Sequence, residues 1–197
     1  PAPDSHLMFI HRNLTDGDLY FVANRVDRAE TIEASFRVTG RKPELWDPAT
    51  GLITPASYKV DGNRTNVSVP FERFGSVFVV FREPTTTSSQ TVSQVALKPI
   101  ATLNGSWQVA FQADRGAPAS ATFEGLMDFR NHPDAGIKYF SGIATYSKEV
   151  QLPAQQAGSH LWLDLGEVNT LAEVWVNGKL AGTAWKPPYR VDISNAA

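Results

Sequence analysis

The chain has 197 residues, 18 basic against 20 acidic, a net charge of −2 and no cysteine. The near-neutral balance argues against a polyanion or membrane-surface partner, so neither nucleic acid nor membrane is expected. The lack of cysteine removes disulfide frameworks, thiol nucleophiles and Cys-ligated metal sites, and no apolar run approaches the ~18 residues of a membrane span. The length fits two β-domains of about 100 residues each. The start at PAPDSHLMF, with neither initiator Met nor signal-peptide core, predicts a piece of a longer polypeptide.

From Leu7 to Phe81 short β-type runs alternate with turn residues, the spacing of an all-β sandwich. MFIHR and LYFVAN flank Thr15, Asp16, Gly17 and Asp18, which predicts a hairpin. Over Thr31 to Val38, Ile32, Ala34, Phe36 and Val38 alternate with Thr31, Glu33, Ser35 and Arg37, the pattern of a half-buried antiparallel strand. Gly40 and Pro43 are expected to end it, and Glu44 to Asp47 to form a short strand before the Asp47-Pro48 turn. Ser57 to Val60 and Arg64 to Val69 flank Asp61-Gly62-Asn63 as a further hairpin, and VFVVFR after Ser76 reads as a central strand. The stretch EPTTTSSQTVS from Glu83 to Ser93 has no periodicity, and residues 86–93 are expected to be a linker.

A second domain is expected over 94–197, opening at Val95 to Ile100 and including a strand at Gln108 to Phe111. Leu126 to Asn131 predicts a helical turn stopped before Pro133. Alternation then marks Gly142 to Leu152 and His160 to Leu165, with Leu161, Leu163 and Leu165 on one face. Ala172 to Val176 and Lys179 to Gly182 meet through Asn177-Gly178, the strongest short hairpin signal because a type I′ turn needs φ > 0 at both central residues. These successive strands are expected to share one sheet. The fold class is thus all-β, two antiparallel β-sandwich domains.

No catalytic constellation is legible. His6, His11, His132 and His160 are scattered without ligand spacing, GxSxG is missing, and Asp16-Gly17-Asp18 lacks the rest of a calcium loop. Asp164 and Glu173 fall on strands expected to be neighbours, and glycosidases need two carboxylates roughly 5 to 9.5 Å apart. The preferred reading makes both of them ordinary outward charges on a half-solvated sheet. Trp162 and Trp175 project to the same outer face. Aromatic rings beside polar groups suit sugar binding, while an exposed apolar patch more often marks an interface, and the interface is the preferred reading for this pair. Trp185 and Tyr189, on a loop stiffened by Pro187 and Pro188, are separate sugar-contact candidates, with plain loop packing preferred. The carbohydrate-binding candidates are therefore Trp162, Trp175, Trp185, Tyr189, Asp164 and Glu173, with no catalytic and no metal residue.

Gly105-Ser106-Trp107, IKYFSGIATYSKEVQLP at 137–153 and LWLDLGEVNTLAEVWVNGKLAGTAWKPPYRVDIS at 161–194 resemble the N-terminal sugar-binding-type jelly-roll module of family 2 glycoside hydrolases. FIHRNLTDGDLYFVANR at 9–25, FRVTGRKPELWDPATG at 36–51 and FGSVFVVFR at 74–82 are similar to the region after the catalytic barrel in family 106 glycoside hydrolases, the bacterial α-L-rhamnosidases. The resemblance implies a β-sandwich at 1–85 and a jelly roll at 94–197 lacking its last strand, an accessory segment following a (β/α)8 catalytic domain of the same polypeptide. It further implies a secreted or periplasmic bacterial enzyme acting on rhamnose-containing glycans or glycosides, with any calcium belonging to the parent enzyme and no cofactor in this segment. Two alternatives stay open, a free-acting carbohydrate-binding module and a purely structural buttress.

Overall fold

The computed structural model describes residues 2–93, 97–153 and 160–197. The chain divides into two compact units, Pro1–Val95 with Gly158–Ala197, and Ala96–Ala157. It is all-β, built from antiparallel ladders.

In the first unit, β1 (Leu7–Leu14), β2 (Gly17–Asn24), β3 (Glu30–Phe36), β4 (Arg41–Trp46), β5 (Ile53–Pro55), β6 (Tyr58–Asp61), β7 (Arg64–Phe71), β8 (Ser76–Pro84) and β9 (Ser89–Gln90) form two sheets. One runs β1-β2-β8-β4-β5 and the other β3-β7-β6-β9. Period-two alternation sends Tyr20, Val22, Val77, Val79 and Phe81 from the first sheet, and Ile32, Phe36, Tyr58, Val67, Val69 and Phe71 from the second, into one shared core. The rings of Tyr20, Phe36 and Phe81 pack edge-on or tilted, with centroids 4.7 to 6.1 Å apart. β8 lies in the middle of its sheet, and this explains its near-continuous apolar text. Val80, on the opposite face from Val79, is also fully buried.

Two features differ from expectation here. Pro43 lies inside β4 rather than ending a strand, at the register irregularity between Arg41 and Pro43. An irregular position is where a residue without an N–H can sit in a ladder. Residues 86–93 carry β9, which pairs with β6 through Tyr58↔Gln90 and Lys59↔Ser89. Val60 N–H donates to Ser88 O at 2.7 Å and Val92 N–H to Ser57 Oγ at 2.9 Å, so this polar stretch is bound along a sheet edge.

In the second unit, β10 (Trp107–Phe111), β11 (Ser120–Phe123) and β12 (Ala144–Ser147) form a sheet in the order β11-β10-β12. Between β11 and β12 lie a 3-10 turn at Phe129–Asn131 and α1 (Ala135–Lys138). Asp128 and Asp134 cap them by accepting from the N–H groups of Arg130 and Ile137. Val109, Phe111, Phe123 and Ile137 make the core, ringed by Trp107, Phe129, Phe140 and Tyr146. Residues 97–100 form no strand, and the expected opening of this region at Val95 falls on residues 94–96, outside the described residues.

Four short strands complete the first unit, β13 (Trp162–Asp164), β14 (Ala172–Val176), β15 (Lys179–Ala184) and β16 (Arg190–Asp192). Asn177 has φ 49° and Gly178 φ 76°, the two positive values that a type I′ hairpin between β14 and β15 requires. The expectation that Gly142–Leu152, His160–Leu165 and this hairpin share one sheet is corrected. β12 is laddered to β10, β13 to β16, and β14 to β15. Nearness in sequence is only a tendency in strand pairing, and here β13 takes a partner 28 positions on because Leu163 and Val191 share an apolar face. Leu161, Leu163 and Leu165 do face inward, against Val174, Ala184, Val191 and Ile193.

Candidate functional site

The outer faces of β13–β16 carry the side chains with chemistry. Register places Trp162 opposite Asp192 and Asp164 opposite Arg190, and directly opposed residues of an antiparallel pair share a face. Arg190 Nε donates to Asp164 Oδ2 at 2.7 Å, and its Nη1 lies 4.0 Å from Glu72. The Arg190 guanidinium, with the Gly166 N–H, holds the Asp164 carboxyl below the usual carboxylate range. Asp192 is held down in the same sense by the Ser194 hydroxyl first, then by the Ser194 N–H and His160. The hydroxyl donates to Asp192 Oδ1 at 2.5 Å while accepting from Leu161 N–H at 2.8 Å. His160 Nδ1 lies 3.2 Å from Asp192 Oδ2.

On the hairpin, Val174 is buried while Glu173 and Trp175 point out, Trp175 with 60% of its surface exposed and facing Leu180 across the pair. Trp185, which follows β15, is 58% exposed. Tyr189 is half-buried against the β13–β16 core, with its carbonyl accepting from Leu165 N–H at 2.8 Å. Trp162 is half-buried.

The six sequence candidates thus all lie on β13–β16 and the loop after β15, but not in one ladder. Trp162 and Asp164 belong to the β13–β16 pair, and Glu173 and Trp175 to the β14–β15 pair. Asp164 is tied to Arg190 rather than set across from Glu173. The remaining histidines with ring contacts also sit in structural pairs. His11 stacks on Tyr20 at 4.1 Å and lies 2.7 Å from Asp18, and His132 stacks on Phe123 at 5.2 Å. Among the described residues no three His, Asp or Glu side chains converge where a metal could sit, so no role for calcium is derived from them.

Sequence reasoning missed Arg190 and Asp192. Their signal was present in the alternation of Arg190 and Asp192 with Val191 and Ile193, which marks the RVDI text as a two-faced strand.

The family model of the glycoside hydrolase family 106 α-L-rhamnosidases matches residues 1–60. The solved structure of a rhamnosidase from Novosphingobium sp. PP1Y is 45% identical and superposes with a TM-score of 0.94, over 100% of this chain and 19% of that one. A Formosa agariphila protein named "Putative beta-glucuronidase" is 41% identical over 95 residues, 47% of this chain and 8% of that protein. The resemblance read from the text at 9–82 is thereby shown, and the chain is similar to a small part of a larger rhamnosidase.

Proposed function

We propose that the chain is a non-catalytic accessory β-sandwich segment of an exo-acting α-L-rhamnosidase, where it supports the catalytic domain and contacts carbohydrate. The observation that carries this reading is the match of the whole chain to 19% of a rhamnosidase at 45% identity. Identity at that level, along the full length of the fold, favours the same structural piece of the same kind of enzyme. In this reading the parent acts on rhamnose-containing glycans or glycosides outside the cytoplasm, in the periplasm or as a secreted protein. The non-catalytic role is favoured by the carboxylates, since Asp164 is engaged by Arg190 and Glu173 sits in a different ladder.

The test is an assay of the purified chain with an aryl α-L-rhamnoside, for which no turnover is expected. Turnover that disappears in Asp164→Asn or Glu173→Gln would overturn the assignment. A free-acting carbohydrate-binding module is the second reading, favoured by the exposure of Trp175 and Trp185. Calorimetric titration with a rhamnose-containing oligosaccharide separates it from a plain buttress, which gives a flat trace.

A further inference from the structure

We infer that Asn104-Gly105, in the segment leading into β10, is a site of spontaneous covalent modification, where the Lys148 ammonium promotes conversion of Asn104 to aspartate and isoaspartate. The sequence holds one other Asn-Gly pair, Asn177-Gly178, and the structure places the two in opposite circumstances.

Asn104, Gly105 and Ser106 are exposed and lie outside any strand. Lys148, the residue after β12, donates through Nζ to Asn104 O at 2.6 Å and to Ser106 O at 2.9 Å. Its ammonium also stands 5.3 Å from the centre of the Trp107 ring, which helps to hold it over this turn. Among the described residues the Asn104 carboxamide and the Gly105 N–H engage no partner. Gly105 has φ 85°, and of the described residues beyond its chain neighbours only Lys148 Nζ lies within 4 Å of where a Cβ would stand. The peptide nitrogen of Gly105 is therefore open to the side chain that precedes it.

The chemistry needs only water. Gly105 N gives its proton to solvent and attacks Asn104 Cγ, closing a succinimide ring, and the Cγ–Nδ2 bond breaks as the amide nitrogen takes up a proton and leaves as ammonia. Water then opens the ring at Cγ to give aspartate, or at the main-chain carbonyl to give isoaspartate. When the peptide nitrogen loses its proton, the negative charge is shared with the Asn104 carbonyl oxygen, the atom that Lys148 already holds. A charge-assisted hydrogen bond aimed at that developing charge lowers the barrier. The same bond draws electrons from the main-chain carbonyl of the succinimide and directs water there, toward isoaspartate. Either product adds a negative charge beside Lys148, and isoaspartate also lengthens the main chain on its way into β10. At Asn177-Gly178, by contrast, the backbone is held by the flanking ladder pair Val176↔Lys179 and by the positive φ of both turn residues, so the rotation needed for ring closure would break the hairpin.

The experiment is incubation of the full chain at mildly alkaline pH, folded and in urea, followed by peptide mass spectrometry and isoaspartate-specific methylation. Lys148→Met and Lys148→Arg are followed in parallel, with circular dichroism to check the fold. In the folded chain Asn104 is expected to convert ahead of Asn177, about tenfold faster than it does in urea, and mainly to isoaspartate. Lys148→Met removes the acceleration, and Lys148→Arg, which keeps a charged donor on the carbonyl, restores most of it. Faster conversion in Lys148→Met would overturn the inference by making Lys148 a clamp that protects the turn. Equal loss in both variants would overturn it as well, since loop structure rather than charge would then set the rate. Conversion of Asn104 no faster in the folded chain than in urea would do the same, and that comparison stands even if a variant fails to fold.

Discussion

Asn24 is 3% exposed at the end of β2, and its side chain is fully used. Nδ2 donates to Arg28 O at 2.8 Å and Glu72 O at 3.1 Å, and Oδ1 accepts from Val26 N–H at 3.1 Å. One amide therefore shapes the turn after β2 and ties it to the end of β7. Truncation leaves two carbonyls and an N–H short of partners in a place water does not freely reach, so Asn24→Ala is expected to cost about 2 to 3 kcal/mol in chemical denaturation. Trp175→Ala, though a larger change in volume, removes a ring that is mostly in solvent and is expected to stay within about 0.5 kcal/mol. The pair of measurements separates a residue used to hold the fold from one left available for a ligand, and equal losses would show that the Trp175 ring is packed in solution.

The strands joined by charge give a pH dependence at the scale of elements. Asp164 on β13 and Arg190 on β16 are directly opposed, and the folded carboxyl titrates below its unfolded value. A depressed carboxylate contributes stability that is present above the unfolded pKa and lost as pH falls through the folded one. Amide protection in β13 and β16, taken relative to the intrinsic exchange rate at each pH, is therefore expected to fall as the solution is acidified from the usual carboxylate value downward. In Asp164→Asn the Asp164 share of that slope disappears, leaving the part due to Asp192. An unchanged acid slope in the variant would remove Asp164 from the account. This pairing also marks where the sequence was readable and where it was not. Local signals sufficed for Asn177-Gly178 and for Ile32, Ala34, Phe36 and Val38, because turn chemistry and strand period act between residues a few positions apart. The pairing of β13 with β16 depends on an apolar match 28 residues away, and β9 is held by hydrogen bonds from Val60 and Tyr58 to text without periodicity. Trp175 could be placed outward from alternation alone. The nearness of Asn177 to Ala196 could not, since the two meet only once the chain after β16 has folded back.

For the molecule as a whole, the nine strands of residues 7–90 enclose a core to which, among the described residues, none beyond Phe81 contributes. Among the described residues every strand of the two sheets facing that core lies within this stretch, and a two-sheet domain of this length can bury enough apolar surface to fold alone. A fragment spanning residues 1–93 is therefore expected to unfold in one cooperative transition worth about 5 to 10 kcal/mol. Shortening it to residues 1–85 removes β9, the Val60 N–H bond to Ser88 and the exchange of hydrogen bonds between Ser57 and Val92. Tyr58 Oη also loses Thr87 O, its partner at 3.2 Å. The shorter fragment is expected to fold with the same circular dichroism but to be about 2 to 3 kcal/mol less stable, because edge bonds that are partly shielded are worth about 1 kcal/mol each and some are replaced by water. Equal stability of the two fragments would make residues 86–93 a connection that merely lies along the sheet. Failure of both to fold cooperatively would mean that the sandwich depends on β13–β16, the remaining strands of its unit.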